Sequence, residues 1–239
     1  MRKLILTFLL FPNLLLGQVI VDDQVDESLI TVWSTENPSG YEGVYRFGWS
    51  EWESEFYLAV DGNIISAQVK DHDWVESEDE NLRGWQAQYR NYHNVRIIGN
   101  KFFSDETNGE FVRYVRNGEK INGLKLDTPP NVSESGYEIG LFQTGDKLKF
   151  FDGKYRQTKF EILSDETLKS YLTEQLKIMR NEIFARYGHA FIKGGEMAEY
   201  FGRQRWYYSL DRDATPFLTE IEKQNIAHIR AVEANKKSP

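Results

Sequence analysis

The sequence predicts an α+β protein, with an N-terminal antiparallel β domain (a barrel or sandwich meander) followed by a small all-helical C-terminal module. Two observations predict it. Short runs of β-branched and aromatic residues are divided by Asp61-Gly62, Gly99-Asn100, Asn108-Gly109, Asn117-Gly118 and Asp152-Gly153, pairs that suit hairpin turns because Gly accepts positive φ without steric cost. After Leu163 the hydrophobic period changes from alternation to the three- and four-residue spacing of a helix. The 239 residues give room for one large domain or two modest ones, and 28% charged with 40% hydrophobic residues is an ordinary soluble composition.

The elements follow in order. Met1-Arg2-Lys3 and the apolar run Leu4–Leu16, ending at Gly17-Gln18, read as a cleaved secretory signal peptide over residues 1–17. The run is shorter than the roughly 20 residues that span a bilayer. Cleavage would remove Arg2 and Lys3 and no acid, taking the formal charge from -8 to -10. Residues 18–40 read as a polar, acidic lead-in closing on Asn37-Pro38-Ser39-Gly40. The β-rich domain is expected over 41–163, with strands around Tyr41–Trp49, Phe56–Val60, Ile64–Val69, Val95–Ile98, Lys101–Phe103 and Glu110–Val115. After Pro129-Pro130, further strands are expected at Tyr137–Phe142, Lys147–Phe151 and Tyr155–Leu163. Asp71–Leu82 is expected to be a loop, because acids crowd around Trp74 and no period emerges.

The helical module is expected over 164–235, with 236–239 as a tail. Ser164 caps a short segment reaching Leu172, and Thr173 is positioned to cap a second helix. In that helix Leu176, Met179, Ile183 and Tyr187 share one face, and Gly188 stops it by taking a left-handed conformation. A short helix around Glu196–Phe201 precedes the aromatic cluster Trp206-Tyr207-Tyr208. Thr219 and Glu222 form a capping box for the last helix.

The segment Leu176–Gly188, LKIMRNEIFARYG, resembles the helix that names the YARHG domain family, through Arg180, Asn181, Glu182, Ile183, Phe184, Ala185, Arg186, Tyr187 and Gly188. Phe191, Tyr200-Phe201, Trp206-Tyr207 and Leu218 followed by Glu222, Asn225, Ile226 and Ile229 continue the likeness over about 70 residues. Phe184 stands where the family usually has Tyr, and Tyr187 replaces the His before the Gly. The resemblance implies an extracytoplasmic bacterial module acting at the cell envelope.

Composition and spacing exclude several chemistries. A chain with 29 Lys and Arg against 37 Asp and Glu is a poor partner for nucleic acid. With no cysteine there is no disulfide, thiolate metal site, cysteine nucleophile or lipid-modified Cys. Six acids between Asp71 and Glu80 lack the Gly and terminal Glu of a calcium loop. The histidines are scattered, and no nucleophile elbow or phosphate loop occurs. No catalytic residue, metal or cofactor is therefore predicted.

Binding is the favoured function, directed at an envelope glycan, peptide or partner protein. The candidate binding residues are Trp49 and Trp52, whose flanking carboxylates suit stacking on sugar rings, and Arg180, Glu182, Arg186, Tyr187, Trp206 and Tyr207. Arg180 shares the apolar side of its helix and needs a partner, with Glu182 or Asn225 available. Its favoured role is a buried network fixing helix packing. Arg186 is expected to point outward at the helix C-terminus. A hydrolase using carboxylates of the β domain and a lipocalin-like carrier are the alternatives.

Overall fold

The structure is a computed structural model that describes residues 27–48, 53–78, 82–116, 118–130 and 137–237. Among these, ten strands form one antiparallel sheet: β1 (Thr31–Val32), β2 (Gly43–Phe47), β3 (Ser54–Asp61), β4 (Ile64–Val75), β5 (Gly84–Tyr92), β6 (Arg96–Ile98), β7 (Lys101–Phe103), β8 (Asn108–Arg116), β9 (Glu119–Leu126) and β10 (Glu138–Phe142). The order is β5-β4-β3-β2-β10-β9-β8-β7-β6, with β1 beside β8. Two meanders, β2–β5 and β6–β10, are thus joined where β2 pairs with β10, Arg46 opposite Leu141.

The sheet is open, which corrects the barrel expectation. β5 and β6 stand at opposite ends of the strand order, yet residues 93–95 alone connect them. Such a link spans at most about 14 Å, so the sheet curls until its edges approach at that corner. No ladder closes the seam among the described residues. The free side of β5 is engaged instead by the C-terminal module. Arg212 donates to Ala87 O at 3.1 Å, and the Asn91 amide donates to Pro216 O and Leu218 O at 3.2 Å each. Arg212 thus occupies one backbone acceptor of β5, and Asn91 ties the strand to the module through its side chain.

Tyr45, Phe47, Phe56, Leu58, Val69, Phe102, Phe111 and Leu124 fill the inside of the curl. Phe47 lies against Gly140, where a Cβ would come within 2.3 Å of the ring, so the β2–β10 junction requires a residue without a side chain. The alternate residues Val44, Tyr57 and Ala59 face outward onto Phe160 and Ile221. Strand β3 is buried on both faces for that reason. Within the lead-in, β1 pairs with β8 and Trp33 is buried against Tyr41 and Phe111.

Three segments depart from expectation. Asp71–Val75 continues β4 as far as the Trp74–Trp85 pair rather than looping. There the strand projects beyond the core, so both faces meet water and the alternation fades. Lys147–Phe150 and Arg156–Lys159 are 3-10 turns rather than strands. Asp146 caps the first through Leu148 N at 3.0 Å, and Arg186 and Asn225 engage carbonyls of the second.

The helices are α1 (Asp165–Lys169), α2 (Thr173–Ala185), α3 (Glu196–Gly202) and α4 (Glu220–Lys237). Thr173 opens α2 rather than capping it, and Gln175 Oε1 accepts from the N–H of Leu172 in front of it. The Thr219–Glu222 capping box is present in both directions. Gly188 takes φ 75° as α2 ends. Leu176, Met179 and Ile183 of α2 pack with Ile226, Ile229 and Val232 of α4, and Tyr155 and Leu163 join that core. Among the described residues no helix is long and apolar enough to cross a membrane.

Candidate functional site

A buried polar network lies where α2 and α4 meet the outer face of β4. At its centre is Lys159, carried in by the turn after Gly153. Its Nζ donates to Gln68 Oε1 at 2.6 Å and Tyr187 Oη at 2.7 Å, and stands 3.4 Å from Glu222 Oε2. Tyr187 donates to Glu222 Oε2 at 2.6 Å. Burial pushes the Lys159 ammonium down to about 8 despite Glu222, and burial with the Glu222 charge raises the Tyr187 phenol well above its ordinary range. Tyr187 is therefore a held donor, not an activated base. Gln68 completes the join to the sheet, giving its amide to Asn91 and to Phe217 O.

A second knot sits at the end of α2. Glu182 accepts from Lys154 N at 2.8 Å and Tyr155 N at 2.7 Å, and pairs with Arg186 at 2.8 Å. Arg186 also donates to Thr158 Oγ1 at 2.9 Å and Tyr155 O at 2.7 Å, leaving its side chain only 6% exposed. The expectation that Arg186 points outward is overturned, because the 152–158 segment folds across that face of the helix. Arg180 is the more solvated of the two at 21% exposure, and its partner is Glu233 at 2.9 Å rather than Glu182 or Asn225. Asn225 accepts from Leu163 N and donates to Thr158 O and Glu161 O.

Above these networks a cleft of about 770 Å³ opens between sheet and helices. Trp85 and Lys70 line it from the sheet, and Trp206, Tyr208 and Arg212 from the module. A neighbouring cavity of about 410 Å³ shares Lys70, His72 and Trp85 with it and continues to Arg46 and Glu55. Trp85 is 54% exposed and Tyr208 74%. Burial and the nearby Lys70 lower the His72 imidazole. Arg212 lies over Phe217 and Tyr89, with centroids 4.8 and 5.7 Å from its Cζ.

Of the residues singled out in the sequence, the structure brings Arg186, Tyr187 and Trp206 to this cleft. Glu182 lies beneath it and, with Trp206, lines a cavity of about 260 Å³ on the other side. Tyr207 packs on Phe191 and Phe201 and donates to His189 O at 2.7 Å, a structural placement. Arg180 is on the α4 side. Trp49 and Trp52 lie outside the described residues. Sequence reasoning overlooked Lys159, Gln68, Arg212 and Tyr208 as site residues. The one available signal was a lysine between Thr158 and Phe160, in a stretch that otherwise reads as core. Among the described residues no group of three or more His, Asp and Glu could hold a metal.

No curated protein and no solved structure matches the chain. Residues 155–234 match the family model of the YARHG domain, and that span runs from Tyr155, whose carbonyl holds Arg186, through Glu222 of the buried network to the far end of α4. The C-terminal region of this chain, residues 155–234, is therefore similar to the YARHG domain, an extracytoplasmic domain family.

Proposed function

We propose that this protein is an exported bacterial envelope protein that binds a glycan, without turning it over, in the cleft between its sheet and its YARHG-like domain. The observation that carries this reading is the cleft's aromatic lining: Trp85 from one half, and Trp206 and Tyr208 from the other, around a space of about 770 Å³. Exposed aromatic faces are suited to the apolar faces of sugar rings. Glu222 is fully buried beneath the cleft, its Oε2 held by Tyr187 and Thr219 and its Oε1 shut off from solvent without a hydrogen-bond partner, which supports binding over acid–base chemistry. The signal peptide read over residues 1–17 would deliver the chain to the envelope, where such glycans are found.

The test is co-sedimentation of the mature protein with purified insoluble cell-wall glycan. Retention is expected, and Trp85→Ala or Tyr208→Ala should weaken it about 3- to 10-fold each without unfolding the protein. No retention of the wild-type chain, or undiminished retention of the double variant, would overturn the proposal.

A further inference from the structure

The cleft carries more positive charge than its chain would suggest. The sequence has a formal charge of -8, yet Lys70, Arg83, Lys159, Arg186 and Arg212 line the cleft against Asp152 and Glu222. Most of these cations are answered from within the protein. Lys159 and Arg186 meet Glu222 and Glu182, Lys70 stands 3.8 Å from Glu55, and Arg83 stands 3.9 Å from Glu76. Arg212 differs. Its Nε and Nη1 donate to the carbonyls of Tyr187 and Ala87 at 2.6 and 3.1 Å, and Nη2, buried from solvent, has no acceptor. Among the described residues it has no carboxylate within ion-pair distance. A half-buried guanidinium with neutral partners only favours an anion brought from outside.

The second observation is shape. The two cavities share Lys70, His72 and Trp85, so they form one groove running from Arg212 to Arg46, with an aromatic face along it. A groove of that form suits a chain of sugars rather than a single ring. We infer that the ligand is an acidic oligosaccharide laid along this groove, with an anionic group at Arg212. This rests on the glycan-binding reading above and names its substrate class.

Calorimetric titration of the mature full chain tests it with three probes: a uronate trisaccharide, a phosphodiester-linked sugar-phosphate trimer and neutral chitotriose, at low and high salt. One acidic probe should bind at least about tenfold tighter than chitotriose, and its affinity should fall with salt. Whichever acid wins identifies carboxylate or phosphodiester as the anion. Arg212→Gln should weaken that acid about tenfold and flatten its salt dependence, and Lys70→Gln should do the same in smaller measure. Chitotriose binding as tightly as the better acid would overturn this inference and leave glycan binding standing, whereas no binding of any probe would remove both. Unchanged acid affinity in a natively folded Arg212→Gln chain would also overturn it. Should that variant fail to fold, a wild-type affinity for the acid that is flat in salt would have the same force.

Discussion

Replacing Lys159 by methionine removes the ammonium that joins β4, α2 and α4 while keeping most of its volume. Two effects oppose each other. An ammonium held at about 8 instead of 10.5 corresponds to about 3 kcal/mol of unfavourable charge burial at neutral pH, which methionine relieves. Against that, Gln68 and Tyr187 lose their donor, and the fully buried Glu222 loses its nearest cation and keeps Arg186 Nη1 at 4.0 Å. Removing one partner of a buried pair costs about 3–5 kcal/mol net, so destabilisation wins. Tyr187 and Thr219 still donate to Glu222, which places the loss near 3 kcal/mol. Adding Glu222→Gln keeps the capping box and removes the stranded charge, so the double variant should recover about half of the loss. Urea unfolding of all three proteins between pH 7 and 9.5 is the assay.

The pH dependence has a definite sign. The folded-state pKa lies below the unfolded one, so between about pH 8 and 10.5 the unfolded chain binds more protons and stability from this group rises with pH. By pH 9.5 the wild type should gain about 2 kcal/mol that Lys159→Met does not, widening the gap between them. A variant as stable as wild type at pH 7, or parallel pH curves, would refute the assignment of Lys159 as a buried, titrating ammonium.

Arg186→Ala should cost about 3–5 kcal/mol by urea unfolding, since it strands Glu182 and empties the acceptors at Tyr155 and Thr158. Arg180→Ala should cost less, about 1–2 kcal/mol, because it loses a single charge-assisted bond to Glu233 and its side chain is 21% exposed; equal losses would contradict the geometry. Fractionation with N-terminal sequencing should find the protein outside the cytoplasm, starting at or near Gln18, and an intact chain from Met1 in the cytoplasm would refute export.

What could be read from the sequence divides by range. The Thr219–Glu222 box and the Gly188 stop are legible because their parts lie within a few residues of one another. The β3–β4 and β6–β7 hairpins are legible for the same reason, marked by Asp61-Gly62 and Gly99-Asn100, whereas Asn108-Gly109 falls inside β8 and Asp152-Gly153 joins two 3-10 turns. Helical period alone misassigns Arg186: it sits one step beyond the apolar face, and only the 152–158 segment, folded over it, turns that step into an interior. The same error hides Lys159, since a strand at 155–163 would have pointed it elsewhere. Barrel closure is misjudged for a longer-range reason. The groups that occupy the β5 edge, at Arg212 and residues 216–218, lie more than a hundred residues away in the chain.

That occupied edge has a consequence in time. Synthesis runs N-terminus first, so the last strand, ending at Phe142, is made while almost a hundred residues remain to follow. At roughly 5–20 residues per second that interval lasts about 5–20 s. Throughout it the outward side of β5 is bare, and Val44, Tyr57 and Ala59 lack their cover. For that interval the nascent sheet can recruit a strand from any neighbouring copy. The YARHG-like domain, arriving last, ends that hazard by docking on the strand itself. A truncation that removes the C-terminal module should therefore promote self-association of the sheet, read by sedimentation velocity against the full chain.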